Sequence, residues 1–148
     1  MVRPGSIVVG TDGSERSEHA LDRAGELARL LGAKLHIVSC HAKSSDGVGA
    51  TAARGVAIAW NDQDGERTRA QHNVDRAQQR LATIGVESET HVWPGEPADA
   101  LVQIADEQDA QMIIVGNRGM TGTGRVLGSV PNRVSHHAHC DVLIVRTG

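Results

Sequence analysis

Ser6 to Thr11 (SIVVGT) is β-branched and bounded by Gly5 and Gly13, a pattern that predicts a strand. The next apolar positions, Ala20, Leu21, Ala24, Leu27, Ala28 and Leu31, recur at helical spacing and predict an amphipathic helix. Ser14 is placed to cap it, Glu15 and Glu18 suit its positive end, and Gly32 is placed to stop it. Lys34 to Cys40 (KLHIVSC) predicts a second strand. His41 to Gly65 is rich in Gly, Ser, Ala and Asp and reads as a long irregular loop, a length usually reserved for function. A second helix is expected from Asp64 or Thr68, with the stripe Ala70, Val74, Ala77, Leu81 and Ile84 and an end at Gly85. Val86 to Val92 alternates, and Glu87, Glu89 and His91 make one face polar, which predicts an edge strand. Gly95-Glu96-Pro97 opens a third helix, with Ala98, Leu101, Val102 and Ala105 on its buried side. Met112 to Val115 is uninterrupted aliphatic sequence, as in a central parallel strand covered on both faces. Val130 to His137 predicts a short helix, and Asp141 to Val145 a last strand.

Strands that alternate with helices imply an α/β fold with an open, doubly wound parallel sheet of five strands and helices on both faces. A length of 148 residues suits a single domain with one core. Phe and Tyr are absent, so that core must be aliphatic; the aromatics are Trp60 and Trp93. This scarcity and a net charge of −3 argue against a nucleic-acid partner. The aliphatic runs are too short for a bilayer span or a signal peptide, so no membrane partner is expected and the location expected is the cytoplasm. Cys40 and Cys140 then read as reduced core thiols.

Ligands of such sheets bind beyond the carboxyl ends of the strands, where the strand order reverses. Gly10-Thr11-Asp12-Gly13-Ser14 follows the first strand, and a glycine-rich stretch from Gly116 to Ser129 follows the fourth. Glycines let backbone amides approach an anion, and the helix N-terminus at Gly128-Ser129 attracts phosphate. The stretch is not a P-loop: Gly119 and Gly124 have its spacing, but Arg125-Val126 replaces the lysine and hydroxyl. Nor is it a dinucleotide fingerprint, because Gly122-Thr123-Gly124 is misplaced. His136, His137, His139 and Cys140 crowd together without a zinc spacing, and adjacent helical histidines diverge, so no metal ligand is assigned. No Ser-His-Asp set can be assigned either, so no catalytic residue is named.

The chain resembles the universal stress protein family. The likeness rests on IVVGTDGS, the segment Gly95-x-Pro97-x-x-Ala100, VGNRG, LGSVPNRVSHHA and the closing DVLIVR, and covers nearly the whole sequence. It implies the strand order 3-2-1-4-5, a homodimer paired through the last strand, one nucleotide per subunit and a role in stress survival. ATP-binding members carry G-x2-G-x9-G-[ST]. Here eight residues, not nine, separate Gly119 from Gly128. The shortened loop leaves ATP, ADP, AMP and a cyclic nucleotide in play, with or without Mg²⁺. By resemblance, Asp12 would bind the ribose or the adenine edge, with Gly10 and Thr11 lining the pocket. Val38 would contact adenine, and Gly116 and Gly119 would pass close to ribose and phosphate. Gly128, Ser129 and Val130 would hold phosphates through their amides, and Arg118 would add charge. The function expected is a nucleotide-binding regulator that acts on an unknown protein partner, with weak hydrolysis at most. The alternatives are a nucleotide-independent dimeric chaperone or scaffold of the same fold, and a cyclic-AMP-binding variant. A nucleotidyl transferase of related architecture would need a Ser-Gly-Gly-type loop or a His-x-x-His signature, and the position after the first strand reads TDGSE instead.

Overall fold

A computed structural model describes residues 5–42, 56–117 and 127–147, the side chains of 56–64 excepted. Strands β1 (Ser6–Gly10), β2 (Lys34–His41), β3 (Ser88–Pro94), β4 (Met112–Gly116) and β5 (Asp141–Val145) alternate with helices α1 (Glu15–Leu31), α2 (Val56–Ala82), α3 (Pro97–Glu107) and α4 (Ser129–His137). The strands form one parallel sheet of order β3-β2-β1-β4-β5. This is the doubly wound order implied by the resemblance, with β3 at one edge as its polar face predicted.

Each strand presents alternate residues to the two layers of helices. Ile7, Val9, Leu35, Ile37 and Ile114 pack against Ala20, Leu21, Ala24 and Ala28 of α1 and Val74, Ala77 and Leu81 of α2. Val8, Val38, Ile113 and Val115 pack against Ala98, Leu101, Ile104 and Ala105 of α3 and Val134 of α4. With no Phe or Tyr, the space is filled by β-branched and leucine side chains, which interdigitate at short range.

α1 begins as its sequence dictates. Ser14 is extended, its hydroxyl accepts from the Ser17 amide at 3.2 Å, and Glu15 and Glu18 occupy the first turn. Gly32 closes the helix, its amide turned back on the last turn. The apolar stripe outruns its cover, however: Leu31 is 51% exposed and Ile84, expected on the α2 stripe, is 39% exposed. Leu31 is the last residue of α1, and Ile84 follows the end of α2 with its Cδ1 against Gly25 of α1.

The larger correction concerns the segment expected to be a loop up to Gly65. α2 starts at Val56, so ten residues of that segment are helical. Asn61, Asp62, Asp64 and Gly65 resemble turn residues in isolation, yet Gly65 lies exposed within the helix with open space around it. A single interior glycine costs a helix only about 1 kcal/mol relative to alanine, which packing elsewhere can outweigh. β3 is also displaced by two residues from its expected span, and the buried Val86 precedes it.

Candidate functional site

A cavity of about 480 Å³ opens at the carboxyl ends of β1, β2 and β4, within the size range of small-molecule sites. It lies where the chain order reverses: β1 is flanked by β2 on one side and β4 on the other. Gly10, Thr11 and Asp12 form part of its wall, with Val38 from β2, Gly116 from β4 and Val130 from α4. Six of the expected site residues thus converge on one space. Arg118 and Gly119 lie outside the described residues.

The β1–α1 turn is held from several directions. The Thr11 amide donates to the Val38 carbonyl at 2.8 Å, extending the β1–β2 ladder by one residue. The Thr11 hydroxyl lies 3.1 Å from that of Ser17 and accepts from the Gly13 amide at 3.2 Å. The Ser14 amide donates to Asp12 Oδ1 at 2.9 Å, an Asx turn that positions an exposed carboxylate and leaves Oδ2 for a ligand. Gly13 turns with φ +80° and lies against Asn73 of α2, itself a wall residue. The wall before α1 is therefore fixed by β2 and α2 as well as by its own turn.

At the far side, Asn117 ties three elements together. Its amide donates to the Val145 carbonyl at 2.8 Å, and its carbonyl accepts from the Gly128 amide at 3.0 Å. Its side-chain Oδ1 accepts from the Thr147 amide and hydroxyl at 2.9 and 3.0 Å. This bears on one expected site residue: in this structure the Gly128 amide donates to Asn117 rather than standing free for a phosphate. Gly128 serves instead as the N-cap of α4, with no side-chain cap bond there. The first-turn amides at Ser129 and Val130 are the donors left for an anion. Ser129 is exposed and, like Gly128, does not line the cavity wall, whereas Val130 and Pro131 do.

Sequence reasoning missed the α2 wall. Glu66, Arg69 and Asn73 border the cavity from that helix; the Ala42 amide donates to Glu66 Oε2 at 3.0 Å, which closes the end of β2 onto α2. The 3.6-residue spacing of Glu66, Arg69 and Asn73 puts them on one face, but nothing local says that face meets β2. Cys40 also borders the cavity, half-buried, and burial with the nearby Glu96 charge pushes its thiol up to about 11. It is a neutral thiol at neutral pH and no nucleophile.

The fold and the cleft define a doubly wound α/β protein with a cavity at the switch point of the sheet. The family model described as the universal stress protein family matches residues 5–146, and the chain belongs to that family. It is 39% identical over 146 residues to Universal stress protein Rv1636 of Mycobacterium tuberculosis, with 96% of each chain covered. Among solved structures it is similar to a universal stress protein in complex with cAMP, at 34% identity and TM-score 0.72, covering 99% of this chain and 100% of that one. It is also similar to the universal stress protein of Archaeoglobus fulgidus in complex with dAMP, at 26% identity and TM-score 0.71, with 99% and 100% covered.

Proposed function

We propose that the cavity binds an adenine nucleotide and that its occupancy regulates the interaction of the protein with a partner. The observation that carries this reading is the convergence of Asp12, Val38 and the α4 N-terminus on one space: a carboxylate for hydroxyl or amine donors, an apolar wall for a base, and two uncommitted amides near the phosphate end. The cAMP and dAMP complexes of similar proteins support the same ligand class. A monophosphate or cyclic monophosphate suits this chain better than a triphosphate, because the loss of the Gly128 amide leaves a shorter cradle. We infer that the protein acts by binding rather than turnover, with any hydrolysis slow, and that it works in the cytoplasm.

The test is mass spectrometry of small molecules released on denaturation, followed by calorimetric titration of ATP, ADP, AMP and cyclic AMP with and without Mg²⁺. Asp12→Asn preserves the Asx-turn acceptor and removes the charge. It should weaken nucleotide binding about tenfold or more, the loss of one charge-assisted bond, while the melting temperature stays close to the parent's. Unchanged affinity in Asp12→Asn would remove Asp12 from the site. Absence of any nucleotide, released or added, would overturn the reading.

A second reading has its own observation. β5 is the edge opposite β3, and it leaves Ile144 36% exposed with Val142 and Leu143 half-buried. An apolar edge strand is a template for pairing with a second copy, which is the homodimer in either account. If the protein dimerises but binds no nucleotide, the nucleotide-independent scaffold replaces the sensor.

A further inference from the structure

We propose that His36, Glu89 and His91 form a divalent transition-metal site, of the zinc class, that clamps the edge strand β3 to β2. The three residues come together through strand register. His36 lies directly opposite Glu89 in the parallel ladder, and His91 lies two residues further along β3, so all three side chains project from the same face of the sheet. His36 Nδ1 is 3.0 Å from His91 Nε2 and 3.4 Å from Glu89 Oε2. One donor atom from each residue falls within 4.8 Å of both others.

These separations are close to those of a ligand set. A tetrahedral ion held at about 2.0–2.2 Å by nitrogen and oxygen places its ligand atoms about 3.3–3.6 Å apart. The Nδ1–Oε2 distance already meets this, and the ring-to-ring distance reaches it by opening a few tenths of an ångström. Two imidazoles and one carboxylate with the remaining position open to water are a donor set that zinc and its neighbours accept.

The alternative occupant of this space is a proton. A hydrogen bond between the rings satisfies one pair of atoms and leaves Glu89 Oε2 facing the same His36 nitrogen at 3.4 Å with nothing between them. One proton on His36 Nδ1 can at most be split between His91 Nε2 and Glu89 Oε2 in a three-centre bond. A cation bridges all three. His36 is wholly buried, and its Nε2 has no hydrogen-bond partner among the described residues, so Nδ1 is the ring atom turned to the cluster. Lys34 Nζ donates to Glu89 Oε1 at 2.6 Å, which orients the carboxylate with its other oxygen toward the rings. Glu107 of α3 adds negative field at His91. The cluster is distinct from the cleft: none of the three residues lines the cavity, and His36 precedes the wall residue Val38 by two positions.

The experiment uses the full chain without an affinity tag, stripped with chelator, titrated with Zn²⁺ by calorimetry and with Co²⁺ by visible absorption. One equivalent per chain is expected, with the intense d–d bands of low-coordinate cobalt. His91→Ala and Glu89→Gln, both at partly or wholly exposed positions, should each weaken Zn²⁺ about tenfold or more and abolish the cobalt bands, with melting curves of the metal-free variants close to the parent's. His137→Ala, in the exposed histidine group at the end of α4, should change neither. Absence of a saturable equivalent overturns the proposal. So does binding that survives His91→Ala and Glu89→Gln, or binding lost in His137→Ala, which would put the ion on α4.

Discussion

Two glycine-to-alanine substitutions should move stability in opposite directions, and together they test the least expected element and the turn on which the candidate site depends. Gly65 lies exposed in the interior of α2, and a Cβ added there meets no atom within 4 Å. The new methyl group touches nothing, so only backbone entropy remains, and alanine is favoured in a helix by about 1 kcal/mol. For a domain of this size that corresponds to a rise in melting temperature of about 2–4 °C. Gly13 is the reverse. Its φ of +80° lies in the left-handed region, and an added Cβ comes within 2.9 Å of Asn73 Cγ and closer still to Asn73 Oδ1. The left-handed conformation costs a non-glycine residue about 1–2 kcal/mol. Asn73 must also turn aside, giving up its 3.5 Å hydrogen bond with the Ser39 hydroxyl. The smaller conformational freedom of unfolded alanine offsets about 0.4–1 kcal/mol of this. The net loss is about 1–2 kcal/mol, a fall of roughly 2–8 °C. Thermal melts by circular dichroism, with denaturant melts to confirm equal m-values, read both changes. If Gly65→Ala is neutral or destabilising, the segment before Thr68 is not helical and the loop read from composition is correct. If Gly13→Ala is neutral, the Asp12–Ser14 turn does not hold the geometry that aims Asp12, and the account of the site fails with it.

The bidentate pair between Arg80 and Asp22, at 2.7 and 2.9 Å, joins α2 to α1 and holds the Asp22 carboxyl below its usual range. A depressed folded pKa gives stability that is full above the unfolded value and is lost as pH falls through the folded one. Asp22→Asn should therefore cost about 0.5–1 kcal/mol at pH 7, both groups being half exposed, and the gap from the parent should close as the pH drops below the carboxylate range; a gap that persists there would mean that the substitution acts through packing. With its thiol near 11, Cys40 should resist alkylation at pH 8, where only about one thiol in a thousand is ionised. Peptide mapping should show labelling that quickens about tenfold per pH unit and slows further on adding nucleotide, because Cys40 borders the cavity; rapid labelling at pH 7 would contradict the burial described.

How far the molecule could be read in advance depends on the range over which each feature is determined. Helix α1 is local: its cap, its acidic first turn and its stop are adjacent in sequence to the stripe they enclose, and each is found where the residues indicate. Asp141–Val145 is likewise a strand over its full expected span. The alternating order of elements then places the carboxyl ends of β1 and β4 side by side, so Gly10 to Asp12 and Gly116 converge without any knowledge of side chains. The errors are of a different kind. α2 starts at Val56 although Asn61, Asp62, Asp64 and Gly65 have local preferences that point to a turn. Asn117 acquires its role from Thr147, thirty residues away, and takes the Gly128 amide out of the phosphate cradle by a contact with no sequence signature.

The same distinction separates the two sites argued for this chain. The cleft arises along the strands, from where they end, and β1 and β4 advertise their ends through Gly10-Thr11-Asp12-Gly13 and Gly116. The His36, Glu89 and His91 cluster arises across the strands, from which residue of β3 stands beside which residue of β2, and a shift of register by one residue would turn Glu89 and His91 to the opposite face. In sequence His91 reads as one more polar residue on a solvated edge, and nothing in the strand KLHIVSC sets His36 apart. Their meeting is fixed by the ladder from Leu35–Ser88 to His41–Pro94. That ladder holds an outer strand whose far side has no partner strand within the sheet. An ion bound there would therefore act first on the attachment of β3, and zinc should raise the melting temperature of the parent chain while leaving that of His91→Ala unmoved.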